Sequence, residues 1–256
     1  MMPETKTAKK AHITVKDLTM AYGSFIVQQD LNFTIYRGDI FIIMGGSGCG
    51  KSTLMHHMVG LKEPAKGKVF YEKVSFWDTE PDSRVRLMRN IGISYQSGAL
   101  WSSMTLAENI ALPLQQYTEL NPAQIREIVS LKLALVGLAG FDDYYPSEIS
   151  GGMQKRVGLA RAIALDPEIV FFDEPSAGLD PISARLLDDL ILELSQSLGA
   201  TVVIVTHELA SIFAIGNNSV FLDPEAKTMI AQGNPKKLLA ESKNPTVHKF
   251  LTRGED

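Results

Sequence analysis

The chain has 256 residues, enough to bury a substantial core as one large α/β domain or as a domain with a subdomain. Its 45% apolar and 21% charged composition is ordinary for a soluble globular protein, and a net charge of −4 with a pI of 5.8 leaves no basic footprint for nucleic acid. The single cysteine, Cys49, excludes an intrachain disulfide, and no apolar run approaches the roughly 20 residues that cross a bilayer.

The N-terminus, Met1 to Lys10, has lysines but no apolar segment after them, so it reads as a solvated tail and not as a secretory leader. Short strands follow at Ile13–Val15 and Leu31–Tyr36, with a turn at Tyr22-Gly23-Ser24 between them. After Arg37-Gly38-Asp39 the continuous apolar run Ile40–Met44 suits a buried strand. A glycine loop and a helix come next. Residues 66–96 hold a strand around Lys68–Tyr71, a polar link containing Pro81, and a strand at Ile91–Tyr95 ending at Gln96.

From 97 to 165 the pattern is helical. Pro122–Val136 carries Ile125, Ile128, Val129 and Val136 at helical spacing and stops at Gly137; a second helix runs from Gly151 to Leu165 with Met153, Val157, Ala160 and Ala164 on one stripe. Strand and helix then alternate. Strand 169–172 precedes a helix from Pro181 to Leu198 closed by Gly199, followed by strands at Thr201–Thr206 and Val220–Leu222. That order predicts a parallel sheet core, a helical insert and an antiparallel N-terminal patch.

Gly45-Gly46-Ser47-Gly48-Cys49-Gly50-Lys51-Ser52 satisfies the phosphate-loop pattern G-x-x-x-x-G-K-[ST] in full, directly after an apolar strand. Its backbone N–H groups are expected to face phosphates at a helix start, with Lys51 reaching the β- and γ-phosphates and Ser52 holding Mg²⁺. Asp173 and Glu174 end the run Ile169–Phe172; as strand neighbours they point apart. Asp173 is then free to meet the metal while Glu174 faces an attacking water. Gln96 and His207 end strands of the same expected sheet, where open α/β sheets place ligands: Gln96 for the metal and water shell, His207 for the γ-phosphate. Alone, each reads as an ordinary polar strand end. Tyr22 offers a face for adenine, or simple turn packing. His12, His56, His57 and His248 show no ligand spacing and are read as structural.

Ile149-Ser150-Gly151-Gly152-Met153 opens another helix. Ser150 suits its N-cap, and the glycines permit close approach. One helix start already serves the phosphates, so this second anion site is expected to address a nucleotide on another copy of the chain.

Taken together, these residues resemble the nucleotide-binding subunit of ABC transporters over roughly Ile13 to Leu251. The resemblance makes Gly45–Ser52 the Walker A motif, with Thr53 behind it. Gln96 becomes the Q-loop, Ile149–Met153 the signature, and Ile169–Asp173 with Glu174 the Walker B segment. Ser176–Asp180 becomes the D-loop, with Asp180 at the nucleotide, His207 the switch histidine and Tyr22 the adenine platform. It implies a P-loop NTPase with a mainly parallel core and an antiparallel part (12–96 and 166–240). A helical subdomain (97–165) and a C-terminal tail (241–256) complete it. ATP and Mg²⁺ are the implied ligands, held between two copies that work beneath membrane permeases. Two departures stand out: Met153 replaces the usual glutamine, and Tyr95 the usual phenylalanine.

Finer segments, Gln96–Trp101, Asn109–Leu114, Pro146–Met153 and Asn244–Leu251, are similar to the ATPase of Mla-type, MCE-associated lipid transporters. That likeness implies phospholipid movement between bacterial inner and outer membranes, driven from the cytoplasmic face of the inner membrane. Its implied partners are a permease pair, a periplasmic MCE protein and a small STAS-domain subunit. Leu100–Met104 is then a permease docking face, or core packing, and the tail from Asn244 a clasp on a neighbour, or a frayed end. The alternatives are an importer ATPase for amino acids or another small solute, a soluble non-transport ABC ATPase, and a P-loop kinase. Cys49, inside the loop, is expected to be open to alkylation and protected by ATP.

Overall fold

The computed structural model describes residues 9–254; the solvated tail expected over Met1–Ala8 lies outside them, while Lys9 and Lys10 are tied down by Asp39 and Glu72 at 2.7 and 2.8 Å. Strands β1 (Ala11–Tyr22) and β2 (Phe25–Tyr36) form an antiparallel hairpin closed by Gly23 and Ser24. Each has 12 residues, far longer than the pieces expected from alternation. Register shifts between Val15 and Leu18 and beyond, with Asp17 and Asp30 at φ of 48° and 54°, explain the difference. Bulges scramble the period-two pattern without ending the ladder.

Strand β3 (Ile40–Gly45) and helix α1 (Lys51–Met58) flank the glycine loop; β4 (Lys66–Tyr71) and β5 (Val74–Ser75) complete a four-stranded sheet of order β2-β1-β4-β5. The expected polar link around Pro81 is instead helix α2 (Pro81–Arg89). Proline sits at its first turn, where no N–H is needed. None of the helix's residues is fully buried, and only Leu87 and Met88 pack partly against the core, so the apolar signal is short. After β6 (Ile91–Ser94) come α3 (Leu106–Tyr117), α4 (Pro122–Leu135) and α5 (Gly151–Ala162). The first two start on full capping boxes, Thr105 with Glu108 and Asn121 with Gln124.

Next are β7 (Ile169–Asp173), α6 (Pro181–Leu198), β8 (Thr201–Val205), α7 (Leu209–Ile215), β9 (Asn218–Asp223), β10 (Thr228–Gln232), α8 (Pro235–Glu241) and α9 (Pro245–Leu251). Helix α6 has the expected bounds, from the Asp180 cap to Gly199 at φ 64°. The tail is not frayed over α9, where Val247 and Leu251 are buried and Phe250 packs edge-on against Phe221.

The large sheet runs β10-β9-β3-β8-β7-β6, parallel except for β10. Central β3 is buried on both faces. Ile40, Ile42 and Met44 pack towards α3–α7, while Phe41 and Ile43 pack towards α1 and the antiparallel sheet. Register places Ile43 opposite Val205, Val205 opposite Asp173, and Phe172 opposite Ser94. The residues that follow these strands therefore converge on one rim. His12 and His57 are core residues, bonded to Thr201 Oγ1 and the Lys62 carbonyl at 2.7 Å each, and burial lowers both their pKa values. Among the described residues, no helix is long and apolar enough to cross a membrane.

Candidate nucleotide site

The rim encloses a cavity of about 820 Å³, within the range of small-molecule sites. The glycine loop forms its floor. Gly45 has φ 145°, and a Cβ there would stand 2.3 Å from the Leu222 carbonyl oxygen, so only glycine lets the strand end turn beneath β9. Gly50 has φ 95° at the start of α1. Lys51 is buried, and its ammonium donates to the Gly45 and Gly46 carbonyls at 3.0 Å each. Ser52 Oγ donates to Asp173 Oδ1 at 2.9 Å, joining loop to strand end.

Glu174 directly follows that strand, in the left-handed region at φ 48°, with its N–H on the Val205 carbonyl at 2.8 Å. Such strain in a non-glycine residue is characteristic of functional positions. The turn carries its carboxylate over the cavity: Oε1 accepts from His207 Nδ1 at 2.9 Å, and Oε2 is buried without a partner. Gln96 and Thr53 line the same cavity, as does Tyr22, whose ring carries Lys62 Nζ on one face, 3.0 Å from the centroid. Tyr22→Ala is expected to weaken ATP binding about tenfold, roughly 1.4 kcal/mol, with Tyr22→Phe close to the parent. Equal affinities for all three in a nucleotide titration would remove adenine stacking from Tyr22.

The structure does not bring every expected residue together. Ser150, Gly151, Gly152 and Asp180 do not line this cavity. Ser150 caps α5 by accepting from Met153 N at 3.3 Å, and Asp180 caps α6, accepting from Ile182 and Ser183 N–H at 3.0 Å. Cys49 corrects the reading of an accessible loop thiol. Its side chain is 1% exposed, in the core beside Gly45, and burial raises its pKa. Only its backbone serves the loop: its carbonyl accepts from Gln28 Nε2 at 2.8 Å. Iodoacetamide should therefore modify native Cys49 at least about tenfold more slowly than the denatured chain, by mass spectrometry; equal rates would place the thiol at the surface.

Other contributors were not foreseen. Phe25, Val27, Leu209, Phe250 and Arg253 complete the cavity wall. Only Phe25, just past the Tyr22 turn, had a local signal. On α5, Lys155 donates to the Pro175 and Ala177 carbonyls at 2.8 and 2.5 Å, and burial lowers its pKa. Arg161 donates to the Gly98 and Ala99 carbonyls at 2.8 and 2.9 Å. A Cβ on Gly158 would lie 2.9 Å from Gly98 Cα, so helix and loop meet backbone to backbone. The helix that begins at Ser150 is thus fastened to the loops after Gln96 and Glu174.

A phosphate loop between a buried parallel strand and a helix, with an acidic strand end beside it, defines a P-loop nucleotide-binding α/β protein. The sequence profile of the ABC transporter family matches residues 28–177, and the chain belongs to that family. It is 37% identical over 239 residues to a Mycobacterium tuberculosis protein described as "Probable ribonucleotide transport ATP-binding protein mkl", covering 93% of this chain and 66% of the relative, just under two thirds of that relative's length. The Haemophilus influenzae "Intermembrane phospholipid transport system ATP-binding protein MlaF" is 36% identical over 243 residues, covering 95% of this chain and 90% of that protein. Among solved structures, cbiO1 from Clostridium perfringens, part of the ABC transporter complex cbiONQ, matches with a TM-score of 0.82 and 28% identity over 92% of this chain and 93% of that one. The ATP-binding cassette MJ0796, a dimer in a post-hydrolysis state bound to ADP and Pi, matches at 0.78 and 29% over 87% and 98%.

Proposed function

We propose that this chain is the ATP-hydrolysing motor subunit of a membrane transporter and that its cargo is phospholipid. The observation that carries hydrolysis is the carboxylate of Glu174. It is held over the nucleotide cavity by His207 and keeps one oxygen without a partner, as a group that must accept a proton from water requires. Lys51 is placed to leave the loop carbonyls for the β- and γ-phosphates. Ser52, Asp173 and Gln96 offer the hard oxygen donors that suit Mg²⁺, with Ser52 and Asp173 already in contact. The metal supplies charge neutralisation at the phosphates; orienting water and receiving its proton fall to Glu174, with His207 fixing that carboxylate.

The γ-phosphate side of this site is left to Ser150–Gly152 and Asp180 of a second copy, a reading supported by their absence from the lining of the chain's own cavity and by the dimeric cassette it resembles. Residues 97–165 then act as one body: Arg161 holds the loop after Gln96 onto α5, and Lys155 transmits the position of that helix to the loop after Glu174. Trp101, 62% exposed, borders a groove of about 330 Å³ with Leu112, Pro113 and Tyr117, which suits an apolar permease helix. Such docking would attach the chain peripherally to a membrane; the cytoplasmic face of a bacterial inner membrane is the reading that the likeness to the Haemophilus influenzae protein supports.

Phospholipid as cargo is supported by the likeness to the Haemophilus influenzae protein; MCE-type and STAS-type partners are proposed from the segments around Gln96, Met153 and Asn244 alone. The likeness to the mycobacterial proteins supports a second reading, a ribonucleotide-like solute. Purifying the protein with its partners from native membranes, followed by lipid and protein mass spectrometry, separates them. A permease with bound phospholipid is expected. A complex without lipid that binds a nucleotide-like solute would overturn the phospholipid assignment.

A further inference from the structure

Gln28 stands where a polar side chain has little reason to be. It is fully buried on β2, between half-buried Val27 and exposed Gln29, and it does not line the nucleotide cavity, although Val27 does. Its Nε2 donates twice, to the Cys49 carbonyl at 2.8 Å and to the Asp223 carbonyl at 2.9 Å. Both partners are main-chain acceptors, so the amide nitrogen must face them; the flipped amide would set oxygen against two carbonyl oxygens. Its own Oε1 is buried without a partner, a cost that an apolar residue at this position would not carry. Gln29 fastens the same strand to the turn after β9, its N–H donating to the Lys227 carbonyl at 2.8 Å. One side chain thus joins β2, the phosphate loop and the end of β9.

The Cys49 carbonyl belongs to the same peptide as the Gly50 N–H, and in a planar trans peptide the two point in opposite directions. With the carbonyl held on the buried side by Gln28, the Gly50 N–H is sent towards the cavity that Gly50 lines. Among the described residues, no acceptor takes up that N–H. A loop that binds phosphate through its N–H groups needs this orientation. Gly50 itself does not enforce it. The position demands glycine, because φ is 95° and a Cβ would stand 2.7 Å from Val27 Cγ1. Glycine leaves the peptide free to turn over, and a carbonyl orphaned in the core would favour the turn.

We propose that Gln28 is a positioning residue: it touches no nucleotide, and it sets the affinity for ATP by holding the Cys49–Gly50 peptide with its N–H facing the phosphates. The proposal rests on the reading of Gly45–Ser52 as the phosphate-binding loop.

The test measures binding of a fluorescent ATP analogue and ATPase kinetics, both on the full-length protein. Gln28→Met fills similar space without a donor. It should raise Kd and KM for ATP about tenfold and leave kcat within about threefold, because the lost contact serves ground state and transition state alike. Inorganic pyrophosphate, added as a competitor, should lose affinity by the same factor, which places the effect at the phosphates.

Gln28→Glu makes the same contact titratable. An ionised glutamate only accepts and would face two carbonyl oxygens, whereas the protonated acid donates to one of them. Burial favours the acid, so the parent-to-Glu ratio of ATP affinities should fall at least about threefold from about pH 9 to about pH 6. The parent-to-Met ratio should stay constant. Cys49 and Lys51 on the loop, and Asp223, Glu225 and Lys227 around the turn, are common to all three proteins and cancel in these ratios. The Asp223 carboxylate is already engaged, accepting from the Glu225 and Ala226 N–H groups at 2.9 and 2.7 Å.

Thermal unfolding establishes that each variant is folded at the assay temperature. If Gln28→Met does not fold, the pH dependence of Gln28→Glu carries the test. ATP and pyrophosphate affinities within about twofold of the parent in folded Gln28→Met, or a parent-to-Glu ratio that does not move with pH, would each overturn the proposal. Full ATP affinity in Lys51→Ala would instead overturn the reading of the loop, whatever Gln28 does.

Discussion

Glu174→Gln should bind ATP as the parent does and hydrolyse it at least about 100-fold more slowly, a barrier increase near 2.7 kcal/mol. The change is nearly isosteric. The amide oxygen can still accept from His207 Nδ1, and glutamine meets the same φ of 48° that glutamate already tolerates. The affected group is the oxygen that has no partner in the fold, Oε2. Replacing it with an amide nitrogen removes the acceptor for a water proton while leaving Lys51, Ser52 and Asp173 in place. With binding intact and the γ-phosphate retained, two chains closed on ATP have no route to open, so an ATP-dependent dimer should accumulate in size-exclusion chromatography. Turnover within a few-fold of the parent would remove Glu174 as the base, and a variant that stays monomeric with ATP would break the link between hydrolysis and opening.

Much of this site was legible because its chemistry depends on neighbours in sequence. The loop must follow an apolar strand and precede a helix, and Ile40–Ser52 shows all three parts in a row. Asp180, Pro181 and Gly199 mark both ends of α6 by rules local to the backbone. What escaped was non-local or patternless. Lys155 and Arg161 act by donating to backbone carbonyls, which accept from any long cation, so no residue pairing records the contact. Helix α2 has no fully buried residue and carries Arg84, Arg86 and Arg89, so it reads as a link. Phe250 and Arg253 reach the cavity only because α9 packs its Val247 and Leu251 into the core. Cys49 was placed by its loop but turned by its fold: Gly45 leaves room behind it, and the thiol fills that room.

Whether Ser150–Gly152 works on a second copy has a decisive test in Gly151→Asp. The site is open, since a Cβ on Gly151 would meet nothing within 4 Å, and an acidic side chain in the first turn of α5 complements the helix dipole. The variant should therefore fold at least as stably as the parent. It should nevertheless lose nearly all ATPase activity, because the new carboxylate stands where a γ-phosphate must approach. Lys51→Ala should be equally inactive, having lost the ammonium from the phosphate floor. Mixing the two inactive proteins gives a sharply different answer for each arrangement. If the signature acts across the dimer, half of randomly formed pairs carry one site with intact Lys51 from one chain and intact Gly151 from the other. Activity should then return to about a quarter of the parent's. If each chain used its own signature, every site would hold a defect and the mixture would stay inactive. Recovery on mixing, absent from either variant alone, is the outcome expected because Ser150 does not line the cavity of its own chain.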